Sequence, residues 1–479
     1  MRPIHTLDAA VVESFPRPDE EMIESLLSVE LARLKSKIVV LDDDPTGVQT
    51  VHHVSVYTDW NEDTLEAAFR EDSRIFFVLT NSRGMIASQT AQVHRQIARN
   101  LMEAARKTGQ EFILISRSDS TLRGHFPLET LTLRNEIEAL TSTRFDGEII
   151  CPFFKEGGRF TLENVHYVKE GGKLTPAGQT EFARDKTFGY QSSHLGDWCE
   201  EKTGGAYPAD EMTYVSLADL RTVNVDKVEA QLMAVRDFNK VIVNVLDYAD
   251  VKVFAVAFIR ALARGKRFLL RSAAAIPKVL GGVPDRPLLS RAELIRPEDR
   301  RGGIVLVGSH VNKTTLQLEE LRNCKVPIEM IEFNQHLVLV KNGLRGEVAR
   351  VITLAEEKIR LGRSVAVFTR RERFDLETDD KERQLLVSVE ISDAVTSIIA
   401  GLTVRPAFII AKGGITSSDV GTKALRVRRA TVMGQVRPGI PVWMTGAESK
   451  FPEMPYIIFP GNVGEVTTLR EVVEMLMGC

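Results

Sequence analysis

Uninterrupted apolar runs recur along the sequence, and helical segments lie between them. The first series reads KIVVLDDD, RIFFVLTNSR, EFILISRSD, GEIICPFF and KVIVNVLDY, and the second reads GGIVLVGS, VPIEMIEF, SVAVFTRR, RPAFIIAKGG, IPVWMTG and YIIFPGN. Continuous apolar runs are typical of strands that are buried on both faces. Their alternation with helices predicts an α/β class, namely two α/β domains with mostly parallel sheets. We expect these two domains to face a central cleft.

The chain of 479 residues is long for one domain, and a stretch rich in Pro and Arg, VPDRPLLSRAELIRPEDRRG, divides it. We therefore predict a helical N-terminal extension over residues 1–35, one α/β domain over 36–285 and a second over 300–479. The extension contains apolar residues at helical spacing within 20–36, and its function stays open. VHYVKEGGKLT predicts a small hairpin within a polar, irregular segment between 155 and 215.

Composition narrows the classes of partner. The net charge of −3 is close to neutral, which argues against a nucleic acid or a membrane surface as a general partner. The four cysteines are far apart and form no CxxC pair, as expected for reduced thiols. The first residues carry acids and prolines rather than the basic and apolar regions of a signal peptide. These features predict a cytoplasmic protein.

The polar residues of the first series follow the apolar runs, as DDDPTG, TNSRG and SRSDSTLRGH. In open parallel sheets, ligands bind outside the carboxyl ends of the strands. Arg83 and Arg123 carry planar guanidinium groups that match a carboxylate, and Asp119 with its neighbouring serines suits hydroxyl groups. One of the acids at 42–44 could accept a proton from a substrate hydroxyl, and another could hold magnesium. The pocket predicted for a small polyhydroxy acid consists of Asp43, Asp44, Ser82, Arg83, Asp119, Arg123 and His125.

The polar residues of the second series are of another kind, GSHVNKTT, KGGITSSD and FPGNVGE. Glycine lets the backbone approach phosphate oxygens, and helix N-termini offer free N–H groups. Walker A needs Gly directly before Lys-Thr, and here Asn312 precedes Lys313, so this is not a P-loop. The basic clusters TRRER and RVRRA are predicted to be solvated faces. The residues predicted to bind a nucleotide are Ser309, Lys412, Gly413, Gly414, Thr416, Gly461, Asn462, Val463 and Gly464.

Four motifs in this order resemble those of a known family. Asp-Asp-x-Thr-Gly stands at 43–47, Asp-Ser-Thr-Leu-Arg-Gly at 119–124, Gly-Ser followed by Thr and Gln-Leu at 308–318, and Pro-Gly-x-Pro at 438–441. The chain resembles, over about 36–479, the four-carbon acid sugar kinase family, whose members phosphorylate threonate, erythronate, 3-oxo-tetronates and related acids with ATP.

The resemblance implies that the N-terminal domain binds the sugar acid and that the C-terminal domain binds ATP. It places substrate binding on Asp44, Arg83 and Arg123, and ATP contacts on Ser309, Gly414 and the turn 461–464. Two positions depart from the family's pattern. Ile415 replaces the acid of Gly-Gly-Asp-Thr, and FPGNVG stands where many members have Lys-Ser-Gly.

The sequence thus predicts a kinase that uses ATP and Mg²⁺ to phosphorylate a hydroxyl of a small sugar acid, with Asp43, Asp44 or Asp119 as the base. Two alternatives stay open at this point. One is a phosphatase or phosphotransferase like the haloacid dehalogenases, with Asp42 as nucleophile, and the other is a non-catalytic sugar-acid binding protein. The acid, the phosphorylated hydroxyl, the metal ligands and the oligomeric state are left open, with a homodimer as one option.

Overall fold

The computed structural model describes residues 4–372, 374 and 381–478. The chain forms two compact units. The first unit comprises Met1–Thr50 and Asp59–Pro284, and the second comprises Val51–Thr58 and Asp285–Cys479. The short segment Val51–Thr58 therefore leaves its sequence neighbours and packs with the C-terminal half of the chain.

The strands follow one another along the chain in short runs. In order they are β1 (Leu7–Asp8), β2 (Lys37–Asp42), β3 (Val54–Tyr57), β4 (Ile75–Leu79), β5 (Phe112–Arg117), β6 (Gly147–Cys151), β7 (Arg159–Leu162), β8 (Val165–Glu170), β9 (Lys173–Pro176), β10 (Thr213–Val215), β11 (Asn239–Val243), β12 (Phe268–Ser272), β13 (Ile304–Val307), β14 (Ile328–Phe333), β15 (Ser364–Thr369), β16 (Ile409–Lys412), β17 (Arg429–Arg437), β18 (Ile440–Thr445) and β19 (Pro455–Phe459).

The α-helices lie between these strands. In order they are α1 (Glu20–Arg33), α2 (Glu62–Arg70), α3 (Ala87–Thr108), α4 (Leu128–Leu140), α5 (Leu195–Thr203), α6 (Leu217–Arg221), α7 (Val225–Ala234), α8 (Tyr248–Ala263), α9 (Ala275–Leu280), α10 (Arg291–Leu294), α11 (Asn312–Leu321), α12 (Gly343–Arg360), α13 (Lys381–Gly401), α14 (Gly414–Asp419) and α15 (Thr468–Met477).

The main sheet of the first unit is wholly parallel and has the strand order β10-β11-β6-β12-β5-β2-β4. Its central strands are buried along their whole length, as the apolar runs predict. The chain runs from β2 outwards to β4 on one side and to β5 on the other. The order therefore reverses at β2, which is the position where open α/β sheets bind ligands.

A small antiparallel sheet, with the order β1-β9-β8-β7, also belongs to the first unit. The predicted hairpin is confirmed as β8 and β9, which turn at Gly171 and Gly172. The N-terminal extension supplies β1 as its edge strand and α1, whose Ile23 and Leu27 are buried. Asp19 caps α1 by accepting a hydrogen bond from Met22 N.

The second unit contains a sheet with the order β3-β17-β18-β19-β16-β13-β15-β14. The strands from β19 to β14 are parallel, whereas β3, β17 and β18 are antiparallel to their neighbours. The antiparallel part is not evident from the apolar runs, because β17 alternates between buried and half-exposed residues. The order reverses between β13 and β16, the kind of position where open α/β sheets bind ligands.

Both units have the predicted α/β class with mostly parallel sheets. The core of the second unit consists of side chains from its sheet packed against α11, α15 and the chain around α10. Within the described residues, no helix is both long and apolar enough to cross a membrane.

Candidate functional site

The carboxyl ends of three neighbouring strands in the first unit bring the predicted polar loops together. Asp42, the last residue of β2, lies opposite Leu79 of β4 and Arg117 of β5. The loops that follow these strands carry the aspartates of the DDDPTG motif, Arg83, and the Asp119–Gly124 motif. The strand register therefore explains why residues far apart in sequence form one site.

The three consecutive aspartates have different surroundings. Asp42 and Asp43 are almost fully buried, whereas Asp44 is more accessible. Asp42 lies under the turn at Gly47, where any side chain would collide with its carboxylate. Asp44 Oδ1 accepts hydrogen bonds from Thr46 N at 2.9 Å and from Thr46 Oγ1 at 2.5 Å. The glycine and threonine of the motif thus shape the turn around the carboxylates.

Two arginines bind these carboxylates. Arg83 Nη2 lies 2.6 Å from Asp43 Oδ1 and Arg83 Nε lies 3.1 Å from Asp43 Oδ2, which makes a bidentate pair. Arg83 Nη1 also contacts Asp44 Oδ2 at 3.4 Å. Arg117 Nη1 lies 3.3 Å from Asp42 Oδ1. Most donor groups of Arg83 are therefore already occupied by protein carboxylates.

Asp119 and Arg123 form the other half of the site. Arg123 Nε donates to Asp119 Oδ2 at 2.7 Å, and Thr121 Oγ1 donates to the same oxygen. In the part of the chain that the structure describes, Asp119 Oδ1 accepts no hydrogen bond, and the side chain keeps 12% of its surface exposed. Asp119 therefore offers an open oxygen, unlike Asp43.

The surroundings separate the acidities of the carboxyl groups. Burial raises the pKa of Asp42 to about 7, although Arg117 opposes this shift, and burial also raises the pKa of Asp43. Burial also tends to raise the pKa of Asp44 and of Asp119, but the charge of Arg83 and the local hydrogen bonds lower the pKa by more. The pKa of Asp44 is lowered, and that of Asp119 is held well below its usual range. Both are therefore ionised at neutral pH.

Residues outside the motif hold the backbone of the Asp119–Gly124 loop. His166 Nε2 lies 2.7 Å from Ser120 O, Tyr190 Oη donates to Thr121 O at 2.7 Å, and Arg271 Nη2 donates to Arg123 O at 3.2 Å. These partners come from β8, from the chain before α5, and from β12. Leu122 has a φ of 69°, a left-handed conformation that a leucine rarely adopts without such support. Sequence patterns gave no sign of these three side chains.

His166 is expected to make stability depend on pH. Because Nε2 faces a carbonyl oxygen, it carries the proton, and burial lowers the pKa of His166 to about 4. In the unfolded chain the pKa of histidine is about 6.5, so acid favours the unfolded state. The stabilisation that the neutral His166 contributes is complete above pH 6.5, and the free energy of unfolding falls by about 3 kcal/mol as the pH falls to about 4. Urea unfolding of the wild type and of His166→Gln from pH 7.5 to 4.5 measures this pH dependence of the free energy of unfolding. A difference between the two proteins that does not change with pH would contradict the assignment.

Ser82 and His125, both predicted to contact substrate, make contacts within the protein. Ser82 is fully buried, and its hydroxyl donates to Glu129 Oε1 at 2.5 Å. His125 Nε2 lies 2.9 Å from Met85 O, and its ring meets Phe188 edge to face. Both side chains support the loops that carry Arg83 and Arg123, and a direct substrate contact stays a prediction for each.

In the second unit, four loops follow four neighbouring parallel strands. Val307 of β13 lies opposite Lys412 of β16 and Phe368 of β15, and Lys412 lies opposite Phe459 of β19. The loops after these strands contain, among others, the predicted residues Ser309, Gly413 and Gly461. The register therefore brings the predicted nucleotide-binding residues to one edge of the sheet.

Close backbone approaches explain the glycines of this edge. A side chain at Gly308 would collide with Thr416, and Gly413 has a φ of 122°, which L-residues rarely adopt. Thr314 Oγ1 donates to Ser309 Oγ at 3.1 Å and lies 3.2 Å from Gly461 O. Gln317 Nε2 donates to the carbonyls of Val463 at 3.2 Å and of Glu465 at 2.8 Å. These bonds hold the first and last loops together.

Three cationic side chains line the same loops. Lys412 is fully buried, and its Nζ donates to the carbonyl of Pro460 at 3.0 Å and contacts that of Gly461 at 3.4 Å. Lys313 Nζ contacts Asn462 O at 3.4 Å, and Arg371 Nη2 donates to Ser309 O at 2.8 Å. No carboxylate among the described residues pairs with any of the three.

The electrostatics of this cluster indicate an anion site. Burial, together with the charge of Lys313, lowers the pKa of Lys412 to about 7. Arg371 Nη1 is buried and has no hydrogen-bond partner within the described chain. Buried cations without counter-ions are unfavourable, so a phosphate group would complete the site. The prediction that TRRER is a solvated face is wrong for Arg371, which is half-buried, and Arg373 of that cluster lies outside the described residues.

Ile415, which stands where many members carry an acid, is 72% exposed at the start of α14.

In the described ranges, no group of three or more His, Cys, Asp or Glu side chains is placed to hold a metal ion. Mg²⁺ at phosphoryl-transfer sites is usually held by one or two carboxylates together with phosphate oxygens. Asp44, whose Oδ2 receives only the 3.4 Å contact from Arg83, fits such a role.

Comparison with known proteins gives two matching domain families and similar solved structures. Residues 38–280 match the sugar-binding N-terminal domain model, and residues 304–469 match the nucleotide-binding C-terminal domain model. A Haemophilus influenzae protein of the family DUF1537 is 16% identical, with a TM-score of 0.58, and the match covers 91% of this chain and 100% of that one. A Salmonella typhimurium LT2 protein is 15% identical, with a TM-score of 0.61, and the match covers 91% and 98% of the two chains.

At these identities the solved structures bear on the fold alone. No curated protein sequence matches the chain. The two domain models match the two units in the order that the motifs predict, and together they span most of the sequence. The chain belongs to the four-carbon acid sugar kinase family, in which a sugar-binding N-terminal domain precedes a nucleotide-binding C-terminal domain.

Proposed function

We propose that this protein is an ATP-dependent kinase that phosphorylates a hydroxyl of a small sugar acid with about four carbons. The observation that carries the proposal is the cluster of Lys313, Arg371 and Lys412, three cations without a carboxylate partner in the described chain, in the unit that matches a nucleotide-binding domain. Phosphates are the ligands that such a cluster suits.

The first unit would supply the acceptor. Its guanidinium groups suit a carboxylate, and its ionised aspartates suit hydroxyl groups. We infer that Asp119 takes the proton of the reacting hydroxyl, because its Oδ1 accepts no hydrogen bond from the described residues and is partly exposed. Asp43 is a poorer candidate for the base, since Arg83 holds both of its oxygens.

Catalysis in phosphoryl transfer is mostly positioning and charge stabilisation. Lys412, Lys313 and Arg371 would neutralise phosphate charge, while the loop at Ser309 and the turn 461–464 would fix the phosphates. Asp44 would be one ligand of a magnesium ion, which would supply further positive charge near the phosphates.

The alternative with Asp42 as a nucleophile is unfavourable. A nucleophilic carboxylate must reach the phosphorus atom, and Asp42 is buried beneath Gly47 and paired with Arg117. Its pKa of about 7 would leave much of it protonated at neutral pH. A protein that only binds sugar acids would give the cluster at Lys412 no function. The melting temperature of such a protein should not change with Mg-ATP.

A screen for ADP release tests the proposal. The purified protein is incubated with Mg-ATP and single acids from a panel of threonates, erythronates, 3-oxo-tetronates and branched acids of similar size. We expect ADP release that depends on at least one acid, and none with the uncharged four-carbon tetritols. Binding of Mg-ATP without ADP release for any acid would contradict a kinase with this substrate class.

A further inference from the structure

The arginines around the first site differ in what they already bind. Arg83 is bidentate to Asp43 and contacts Asp44, and Arg117 contacts Asp42. Arg271 is buried behind the loop, where it donates to a backbone carbonyl and stacks on Phe126 and Trp198. Most donors of Arg83 are therefore occupied, and Arg117 and Arg271 are buried, so none of these three is well placed to receive a substrate carboxylate.

Arg159 is different, although it belongs to no motif. It is the first residue of β7 in the small antiparallel sheet, and its side chain is only half-exposed. Its Nη1 donates to Gly157 O, and its Nε is buried without a hydrogen-bond partner in the described chain. No carboxylate of the described residues forms an ion pair with it. A partly buried guanidinium without a counter-ion is unfavourable unless a ligand supplies the charge.

Arg123 lies on the same aromatic ring as Arg159. The Cζ atoms of Arg123 and Arg159 lie 5.1 Å and 5.6 Å from the centroid of Phe182. Only the Nε of Arg123 donates to Asp119, and its Nη1 is 3.9 Å from the nearest oxygen of Asp185. The ring can stabilise both cations in part through its π face, but it supplies no negative charge. Both guanidinium groups thus keep donors without a hydrogen-bond partner among the described residues, and that of Arg123 lies next to Asp119.

We propose that Arg159 is a specificity-determining residue that binds the carboxylate of the acceptor together with Arg123, over the ring of Phe182. This inference rests on the proposed function and deepens it, because it requires an acceptor with an anionic group rather than a neutral polyol. It also gives the small antiparallel sheet a role, which is to select acids. Arg83 then orders the aspartates rather than the substrate carboxylate.

The test compares Arg159→Met with Arg159→Lys and with a matched control, Arg134→Met. Arg134 also stacks on a phenylalanine, with its Cζ 4.6 Å from the centroid of Phe238, but it has a carboxylate partner in Glu138 at 3.3 Å. Melting temperature is measured with each acid of the panel, with a tetritol and without ligand. For any acid that releases ADP, KM and kcat are measured as well.

We expect R159M to need at least about tenfold more acid than the wild type for the same rise in melting temperature, because hydrogen bonds to a charged group are lost. KM for the acid should rise by the same factor with kcat little changed. R159K should recover part of the affinity, since lysine keeps the charge but not the planar fork. R134M should bind the acids like the wild type.

Stability without ligand separates this role from a structural one. R159M should melt no lower than the wild type, because an uncompensated charge is removed, whereas R134M should melt lower. A loss of stability in R159M like that of R134M, or unchanged affinity for the acids, would overturn the inference. So would a wild type whose melting temperature no acid raises. If acids bind through Arg159 but none releases ADP, the proposed function fails and this inference stands.

Discussion

Replacement of Asp119 by Asn is expected to lower kcat by about 10²–10⁴-fold, which is the usual contribution of a positioned general base, with little change in KM. The amide keeps the size of the side chain and can still accept the hydrogen bonds from Arg123 and Thr121 at one oxygen. It cannot take a proton from the acceptor hydroxyl. Steady-state kinetics with the acid found in the ADP-release screen measure the effect.

The neighbouring aspartates and a matched control make this result specific. D43N should weaken binding of the acid, since it breaks the bidentate pair through which Arg83 orders the aspartates. Asp250, fully buried in the same unit and paired with Arg221 at 2.5 Å, provides the control. D250N should lower the melting temperature and leave kcat nearly unchanged. If D43N, D44N and D119N all turned over near the wild-type rate, the base would lie elsewhere, and a D119N variant near the wild-type rate would by itself rule out Asp119.

The general plan of the fold follows from the sequence because it depends on local patterns. Buried parallel strands need continuous apolar runs, and the polar residues after such runs must lie at one edge of the sheet. The α/β class and the grouping of Asp43, Arg83 and Asp119 could therefore be predicted. The pairing of β3 with β17 could not, because an alternating strand far along the chain has no local mark of its partner.

The side chains that complete both sites could not be predicted from the sequence, because their roles depend on tertiary contacts. His166, Tyr190 and Arg271 act through backbone carbonyls of the Asp119–Gly124 loop, and any carbonyl could serve any such donor. Arg371 stands in a run of charged residues of the kind that usually faces water. Only the tertiary structure shows that it bonds to Ser309 O and Thr315 Oγ1. Motif residues can be read from their spacing, whereas the side chains that position them depend on long-range packing.

Replacement of Lys412 by Met is expected to lower kcat/KM for ATP by about 10²–10³-fold, the range found when one preorganised charge-stabilising donor is removed. Lys412 is buried, and charges interact strongly where water is excluded. Its ammonium group has no carboxylate to compete with a phosphate in the described part of the chain. Methionine fills a similar volume, so the variant should fold, and binding of Mg-ADP measured by calorimetry should weaken in parallel.

The pH dependence of nucleotide binding tests whether the charged ammonium group of Lys412 binds the phosphates. With a pKa near 7 in the free protein, Lys412 must take up a proton to bind phosphate at higher pH. Affinity for Mg-ADP should therefore be level below pH 7 and fall by up to about tenfold per unit between pH 7 and 9. K412M should lose this slope. Lys423, exposed and paired with Asp393 at 3.0 Å, gives the control K423M, which should keep both the affinity and the slope. A slope that persists in K412M would show that another group titrates and that the buried ammonium does not contact phosphate.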